Sequence, residues 1–412
     1  MKHFIFSLLL LVLFLTSIAQ QSPLKKIDIP LHRDSIRFQV VNDMIIVNVE
    51  VAGKVRNFLL DSAAPTLISQ ELQKELCLGI TDSRSITDAG NTTSQMERGI
   101  LPLLEIGNSK VTNLPVVFFD MSKIEQLACL NIQGFLGFDA FESTMLQIDV
   151  KNRKLLIADK LGKITPDERF GHGMKVLAGQ NAVLLPVKFD KVFVEDALFD
   201  TGMNASLYSV AKKTIDYVAH TTSLDKFVGA RGYGASLKVA SGTENESKKT
   251  MLAFDEMYIG QFKISQPIVA SANQPYSLLG VKFLKFGKIT FDFSVERYYF
   301  EPYEKMNKAE PIKSTGFEFR FEKNEFLVGV VWKDSPAEKF GLRPGFKLLE
   351  YGNNNLEKLT ADQVCSIMGM NFSHAEKKEK DTLYVKFIDD DGIIKELELP
   401  VVDIRSFKGK TK

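Results

Sequence analysis

Two parts of the chain repeat each other, and each repeat contains a strand-like segment that ends in an aspartate. Residues 43–62 read DMIIVNVEVAGKVRNFLLDS, and residues 182–189 (AVLLPVKF) and 191–201 (KVFVEDALFDT) repeat that pattern. Both copies consist of short, β-branched, partly alternating runs, which are typical of β-strands. Further along, residues 134–149 and 278–293 form a second matching pair. The chain is therefore predicted to contain a duplicated β-rich unit.

The spacing of the repeated elements supports a duplication. Asp61 precedes Gly137 by 76 residues, and Asp200 precedes Gly280 by 80 residues. Short strands separated by Gly, Asn and Asp, with few long helical periodicities, favour closed all-β lobes. Two homologous lobes explain this arrangement better than chance similarity.

The domain organisation follows from these patterns. We expect a first lobe over residues 37–160 and a second lobe over residues 180–303. Residues 303–314 are charged and contain proline, which suits a linker. Residues 315–405 carry their own strands and two short helices, which indicates a small α+β domain. The predicted fold class is therefore mainly β, with an additional small α+β domain.

The first nineteen residues differ from the rest of the chain. Lys2 is followed by an apolar run over residues 4–15 and by Ser17-Ile18-Ala19, the pattern that a signal peptidase recognises. The run is shorter than the roughly 20 residues of a transmembrane helix. We predict a signal peptide over residues 1–19 and an exported protein, with a retained N-terminal anchor as the alternative. No later apolar stretch is long enough to span a membrane.

Charge, histidine and cysteine usage exclude several function classes. The 52 Lys and Arg balance 51 Asp and Glu, so no basic surface for nucleic acid is indicated. The five histidines lack metal-ligand spacing, and we expect neither a metal site nor a His-dependent hydrolase. Export permits disulfides, and Cys77 could pair with Cys129. Buried free thiols are the preferred interpretation for these two residues and for Cys365.

The two triplets that follow the repeated strands are Asp61-Ser62-Ala63 and Asp200-Thr201-Gly202. Two carboxylates about 3 Å apart share one proton, so one can activate a water while the other polarises an amide carbonyl. The Ser and Thr hydroxyls can bond across to the opposite lobe, and the N–H groups that follow can hold the carboxylates. Taken alone, either triplet also fits an Asx turn or a helix cap. The repeat favours the catalytic interpretation.

These motifs resemble those of aspartic proteases, specifically the retropepsin-like branch in a two-lobed, single-chain form. The resemblance covers about residues 40–303 and includes Phe135-Leu136-Gly137 and Leu278-Leu279-Gly280. It implies two retropepsin-like closed β-barrel lobes that form a pepsin-like cleft, with Asp61 and Asp200 as the catalytic pair. It also implies a polypeptide substrate, no cofactor and a monomeric catalytic unit. The supporting residues that it implies are Ser62, Ala63, Thr201 and Gly202.

The resemblance further implies a β-hairpin flap over the substrate. The candidate is residues 84–99, with its turn at Asp88-Ala89-Gly90-Asn91, and residues 232–249 are the equivalent in the second lobe. No Tyr lies between Asp61 and Gly137, which is closer to retropepsins than to pepsins.

The first triplet departs from the family pattern at Ala63, where Gly is usual. Alanine keeps the N–H donor but adds a Cβ and disfavours a positive φ. Pro65 removes one further N–H from the same turn. An inactive enzyme with the same fold therefore stays an alternative.

Residues 315–405 resemble a PDZ domain, on Ser335-Pro336-Ala337, the stretch 341–345 and Leu348-Leu349. The resemblance implies that a peptide C-terminus binds as an added strand. The residues of the implied binding loop are Gly316, Phe317, Glu318 and Phe319. Phe346 stands where Asp is usual, and Glu318 would repel a carboxylate if it pointed inwards. The alternative is a module that packs on the lobes without binding peptide.

Together these patterns predict an exported aspartic endopeptidase of the periplasm, cell envelope or extracellular space. The rival prediction is a catalytically inactive peptide-binding envelope protein that retains the protease fold. A shared-proton pair favours an acidic pH optimum, although neighbouring groups can raise the upper limit.

Overall fold

The computed structural model describes residues 24–87, 91–162, 164–179, 181–221, 223–235, 238–239, 242–304, 308–309, 311–370 and 381–407. These residues form a mainly β protein, as the sequence predicted. The predicted signal peptide and the turn residues Asp88, Ala89 and Gly90 lie outside the described residues. Within the described ranges, every helix is too short or too polar to cross a membrane.

The first lobe is defined here by strands β1–β11. Its strands are β1 (Lys26–Asp28), β2 (Arg33–Val41), β3 (Met44–Val51), β4 (Lys54–Leu60), β5 (Leu67–Ser69), β6 (Asp82–Thr87), β7 (Thr93–Ile106), β8 (Ser109–Phe119), β9 (Ile132–Leu136), β10 (Met145–Asp149) and β11 (Lys154–Ala158). Its α-helices are α1 (Gln70–Glu75) and α2 (Glu125–Cys129). Alternation in β2 buries Asp34, Ile36 and Phe38 and exposes Ser35 and Arg37, which gives that strand one core face.

The second lobe is defined by strands β12–β26. Its strands are β12 (Gly171–Gly173), β13 (Lys175–Leu177), β14 (Ala182–Phe189), β15 (Phe193–Asp200), β16 (Tyr208–Ala211), β17 (Val228–Gly234), β18 (Lys238–Val239), β19 (Gly242–Thr243), β20 (Ser247–Ala253), β21 (Glu256–Ile259), β22 (Phe262–Ser265), β23 (Ile268–Ala272), β24 (Leu278–Gly280), β25 (Gly287–Asp292) and β26 (Arg297–Pro302). Helix α3 spans Lys212–Thr221.

The C-terminal module is defined by the remaining elements. Its strands are β27 (Lys313–Ser314), β28 (Phe317–Glu322), β29 (Glu325–Trp332), β30 (Lys347–Tyr351), β31 (Asn354–Asn355), β32 (Thr382–Ile388), β33 (Ile394–Pro400) and β34 (Val402–Asp403), and its helices are α4 (Pro336–Lys339) and α5 (Ala361–Met370). Short 3-10 helices span Pro30–His32, Met121–Lys123, Phe138–Phe141, Glu168–Phe170, Asp225–Phe227, Val281–Lys285 and Ile404–Phe407. Ser335 caps α4 by accepting a hydrogen bond from Glu338 N at 3.2 Å.

Two large sheets contain most of the described strands. The first has the order β12-β26-β25-β10-β11-β2-β3-β4-β9-β5-β8-β7-β6, with β1 paired to β8. The second has the order β22-β21-β14-β15-β24-β16-β23-β20-β17-β29-β30-β32-β33. The first sheet therefore contains strands of both lobes, and the second continues from the second lobe into the C-terminal module.

The two lobes meet in a shared sheet and a shared aromatic core. β10 pairs antiparallel with β25, with Leu146 opposite Phe291, and these strands come from matching copies of the repeat. The ring centroid of Phe138 lies 6.4 Å from that of Phe199 and 5.1 Å from that of Phe291. All three side chains are fully buried. Because Phe199 immediately precedes Asp200, this core lies directly behind the second triplet.

The described part of the predicted linker is packed against the second lobe. Ala309 N donates a hydrogen bond to Ser265 O at 2.9 Å, and Lys308 forms a β-bridge with Ser265. Ser314 in β27 pairs with Val402 in β34. These contacts hold the start of the C-terminal module near the lobe that precedes it.

The cysteine prediction is wrong. Cys129 and Cys365 form a disulfide, and Cys77 is a free thiol in an exposed turn and is not buried. The paired residues are 236 positions apart, and they meet because helix α2 of the first lobe packs on helix α5 of the C-terminal module. No sequence spacing reveals such a pair, since only the docking of two distant units brings the sulfur atoms together.

Candidate active site

Each aspartate of the repeat lies at the buried end of a strand. Asp61 follows β4, and Asp200 is the last residue of β15. β4 pairs in parallel with β9, and β15 pairs in parallel with β24, so the downstream Gly elements lie beside the strands that end in aspartate. Asp61 N donates a hydrogen bond to Leu136 O at 3.0 Å. The repeated segments 134–149 and 278–293 therefore support the strand ends that carry Asp61 and Asp200.

The two triplets are joined by reciprocal hydrogen bonds between the lobes. Ser62 Oγ donates to Phe199 O at 2.7 Å, and Thr201 Oγ1 donates to Leu60 O at 2.7 Å. In return, Ser62 N donates to Thr201 Oγ1 and Thr201 N donates to Ser62 Oγ, each at 3.0 Å. Both hydroxyl residues have no exposed surface. Buried and fully paired hydroxyls of this kind fix the relative position of the two strand ends.

In both triplets, one carboxylate oxygen accepts hydrogen bonds from the two backbone N–H groups that follow it. The donors are Ala63 (3.1 Å) and Ala64 (3.2 Å) for Asp61 Oδ1, and Gly202 (2.9 Å) and Met203 (3.1 Å) for Asp200 Oδ1. A Cβ built on Gly202 would lie 2.6 Å from Asp61 Oδ2 and 3.2 Å from Asp200 Oδ1. The two carboxyl groups are therefore neighbours on either side of Gly202.

The electrostatics of the pair favour a single shared proton. Burial raises the pKa of Asp61 to about 6, although the N–H groups of Ala63 and Ala64 act in the opposite direction. Burial, together with the negative charge of Asp61, raises the pKa of Asp200 to about 8. Asp200 is 8% exposed, whereas Asp61 is partly exposed. Near pH 7 the pair therefore holds one proton, mainly on Asp200.

Ala63 is compatible with the local backbone. Its φ is not positive, and neither is that of Gly202, so the expected conformational penalty of alanine does not arise. The side chain of Ala63 packs instead against an apolar cluster of the second lobe. The members of this cluster, called here the second-lobe wall, are Ala182, Leu184, Leu198 and Leu278, with Leu177 and Met203 beside them. The departure from glycine therefore places a methyl group in an apolar contact.

A second buried apolar cluster belongs to the first lobe. Its members, called here the first-lobe wall, are Met44, Ile46, Leu59, Leu67, Val117, Phe119, Met121, Leu127 and Ile132. Ile86 of β6 and Met96 of β7 pack on this wall from the predicted flap hairpin. β6 and β7 pair with Thr87 opposite Thr93, and Asn91 adopts a φ of 60° in the described part of the turn. The equivalent hairpin of the second lobe is β17 with β20.

Asp139 is a buried site residue that the sequence analysis missed. Both of its carboxylate oxygens lie 3.1 Å from Thr66 N, and Thr66 Oγ1 donates to Asp139 Oδ1 at 2.6 Å. Thr66 Oγ1 in turn accepts a hydrogen bond from Gly137 N at 3.2 Å. These bonds hold the turn after Asp61 to the segment after β9. The available signal was an aspartate two residues after Gly137 in an apolar stretch, where the second copy has Lys282.

The candidate peptide-binding loop of the module offers backbone and few free side chains. Phe317 and Phe319 are buried in the module core, and Glu318 Oε1 accepts a hydrogen bond from Trp332 Nε1 at 3.2 Å. Gly316 has a φ of 94°, and a Cβ there would lie 2.0 Å from Ser335 Cβ. Within the described residues, β28 pairs antiparallel with β29.

One family-model match, within the first lobe, supports the class of protein that this site suggests. Residues 47–140, which include Asp61, Gly137 and Asp139, match the family model described as aspartyl protease. That match supports an aspartyl protease at the family level. Among solved structures, the chain is similar to the crystal structure of Basic 7S globulin from soybean, at 12% identity and a TM-score of 0.38. That similarity covers 66% of this chain and 95% of the soybean chain. No curated protein matches the sequence.

Proposed function

We propose that this protein is an aspartic endopeptidase in which Asp61 and Asp200 together activate a water molecule. The observation that carries the proposal is the pair of strand-end carboxylates, held face to face by the reciprocal bonds of Ser62 and Thr201. Such fixed carboxylates of unequal pKa are suited to divide the roles of base and acid.

We assign the base to Asp61 and the acid to Asp200, because Asp61 is the more exposed carboxyl group, and burial beside the charge of Asp61 raises the pKa of Asp200. Asp61 takes a proton from water as the water oxygen bonds to the carbonyl carbon, and Asp200 donates its proton to the carbonyl oxygen. As the tetrahedral intermediate collapses, Asp61 gives its proton to the amide nitrogen and the C–N bond breaks. A hydroxyl proton of the intermediate returns to Asp200, which restores the starting state.

The substrate we propose is a polypeptide with apolar side chains on both sides of the cleaved bond. Leu59 and Leu198, each two residues before one of the aspartates, are buried in the two walls, and the partly exposed Met96 and Met203 pack on them. Apolar surfaces beside a reacting pair favour substrate side chains that bury apolar area on binding.

The pH dependence of peptide release tests the proposal. We expect a bell-shaped profile with its maximum at about pH 7. Below about pH 6, the pKa of Asp61, the base becomes protonated. Above about pH 8, the pKa of Asp200, the acid loses its proton. The measurement is peptide release from mixed denatured proteins between pH 3 and 10, by mass spectrometry. A chain that binds peptides but releases none at any pH would contradict the proposal and support the inactive alternative.

We also propose that the C-terminal module is PDZ-like and accepts a peptide C-terminus at the loop that contains Gly316, ahead of β28. The close contact of Gly316 with Ser335 supports this proposal. No side chain fits at Gly316, so the loop just ahead of β28 has none at this position beside a peptide that adds as a strand. The full chain should bind a peptide with a free C-terminal carboxylate at least tenfold more tightly than its amide. Equal affinity for the two peptides would refute a carboxylate-binding site.

We propose that the chain is exported, with residues 1–19 as a cleaved signal peptide. The Cys129–Cys365 disulfide supports an oxidising compartment, where such bonds form and persist. N-terminal sequencing of the protein isolated from its host should begin at Gln20. A sequence that begins at Met1 would indicate a retained anchor.

A further inference from the structure

The disulfide joins the C-terminal module to the first lobe close to β9, the strand that supports Asp61. Cys129 is the last residue of α2, and it packs against the core of the module, as Val364 and Leu359 of the module also do. Three residues later β9 begins at Ile132. The other end of β9 is Leu136, whose carbonyl oxygen accepts the hydrogen bond from Asp61 N. The short segment from Cys129 to Leu136 thus connects the disulfide to the carbonyl oxygen that holds the backbone of Asp61.

The module is held to the second lobe by a different contact. β29 pairs antiparallel with β17, the first strand of the second-lobe hairpin, with Gly232 opposite Trp332. A Cβ on Gly232 would lie 2.9 Å from the Trp332 ring, and one on Gly234 would lie 1.9 Å from Gly329 O. No side chain fits at Gly232 or at Gly234, where the two strands approach most closely. The sheet of the second lobe therefore passes into the module without a flexible connection.

Side-chain packing strengthens this second contact. Trp332 is 4% exposed in a cluster that contains Ala230 and Ile268 of the second lobe and Ile404 and Phe407 of the module. Arg320 Nη1 lies 3.2 Å from Glu246 Oε1, which links β28 to the turn of the same hairpin. Apolar burial and paired strands make this a contact that survives without any covalent bond.

We propose that the C-terminal module bridges the two lobes, and that the Cys129–Cys365 disulfide is a redox-sensitive latch between the bridge and the first lobe. With the latch closed, the second-lobe hairpin and the α2–β9 segment are fixed to one body. With the latch open, the module stays on the second lobe, and α2 is released from α5. The expected result is a more mobile first-lobe wall and weaker substrate binding.

Opening the latch requires a dithiol reductant. Its thiolate attacks one sulfur of the Cys129–Cys365 bond and forms a mixed disulfide, and its second thiol then displaces the protein sulfur. Two electrons and two protons pass to the cysteines, which become thiols, while the reductant becomes a disulfide. The loop that the bond closes spans 236 residues. Once the bond is reduced, the chain between α2 and α5 is therefore too long to keep these two helices together.

The test uses the full mature chain with dithiothreitol as the reductant. Alkylation should label one cysteine, Cys77, before reduction and all three cysteines after it. Amide hydrogen exchange in residues 125–136 should accelerate at least tenfold on reduction, whereas β17 and β29 should keep their protection. The fluorescence of Trp332, the chain's single tryptophan, should stay unchanged, which shows that the module remains folded on the second lobe.

Cys129→Ser and Cys365→Ser should reproduce the reduced state without reductant, and dithiothreitol should then have no further effect. Cys77→Ser is the matched control, and it should behave as the natural chain does. Unchanged exchange in residues 125–136 after full reduction would overturn the latch. Loss of protection in β17 and β29 would overturn the bridge.

Only the effect on hydrolysis rests on the proposed function. With a peptide substrate, we expect reduction to raise KM severalfold and to change kcat less. If exchange responds as expected but neither form hydrolyses peptide, the latch stands and the endopeptidase proposal fails. If hydrolysis occurs and reduction leaves the exchange unchanged, the endopeptidase proposal stands and the latch proposal fails.

Discussion

Asp61→Asn and Asp200→Asn are each expected to lower kcat by about 10²–10⁴-fold, the range that general acid–base groups contribute. Asparagine has the shape of aspartate, and its side-chain oxygen can still accept the two backbone N–H groups that follow each residue. It cannot take a proton from water at Asp61 or donate an acidic proton at Asp200. The measurement is the initial rate of peptide cleavage at the pH optimum of the natural chain.

Asp196→Asn is the matched control for this experiment. Asp196 lies on β15, the strand that ends at Asp200, and its exposed carboxylate pairs with Lys175. Exposed ion pairs contribute about 0–1 kcal/mol, so neither stability nor kcat should change much. Cleavage that survives in either Asp61→Asn or Asp200→Asn would place the catalytic groups elsewhere.

Gly202→Ala is expected to lower kcat about 10²-fold or more, because its methyl group would displace the carboxylate of Asp61. The added Cβ would lie 2.6 Å from Asp61 Oδ2, closer than real Cβ contacts, and Asp61 is held by Ala63 and Ala64 behind it. One of the two carboxylates must move, and the shared-proton geometry is lost. The measurement is kcat and KM, with near-ultraviolet circular dichroism to show that the fold is retained.

Ala63→Gly is the matched substitution at the equivalent position of the first triplet. It removes the contact with the second-lobe wall and should cost about 1 kcal/mol of stability, while cleavage stays within a few-fold of the natural rate. If Gly202→Ala were as active as the natural chain, the proposed spacing of the carboxylates would be refuted. A large gain of activity in Ala63→Gly would show instead that the first triplet is obstructed by its methyl group.

The sequence allowed the repeated strands to be predicted because apolar alternation and internal similarity are local signals. It also indicated which aspartates follow those strands, and both lie at strand ends in the structure. Three other features depend on contacts between distant parts of the chain. They are the Cys129–Cys365 bond, the pairing of β17 with β29, and the buried bonds of Asp139 to Thr66. No short-range pattern specifies such contacts, since each arises only after the units have docked.

Ala63 shows a different limit of inference from sequence. An alanine in place of glycine suggested strain, because glycine is often selected for a positive φ. The structure shows that the requirement at the equivalent Gly202 is space next to a carboxylate, and that the φ there is not positive. Whether a glycine is needed for a positive φ or for space beside a neighbouring group depends on its surroundings in the fold and cannot be read from the residue type.

The pairing of β10 with β25 has a consequence for how the protein is made. β25 begins at Gly287, well after β10 ends at Asp149, so a chain that emerges N-terminus first completes the first lobe while β10 still lacks this neighbour. A growing chain that has passed residue 160 therefore presents an unpaired strand edge next to the uncovered ring of Phe138. Such an edge is a template for pairing with another nascent chain. Translation that stalls between the two lobes should yield aggregates, whereas the two halves made together can complete each other's sheet.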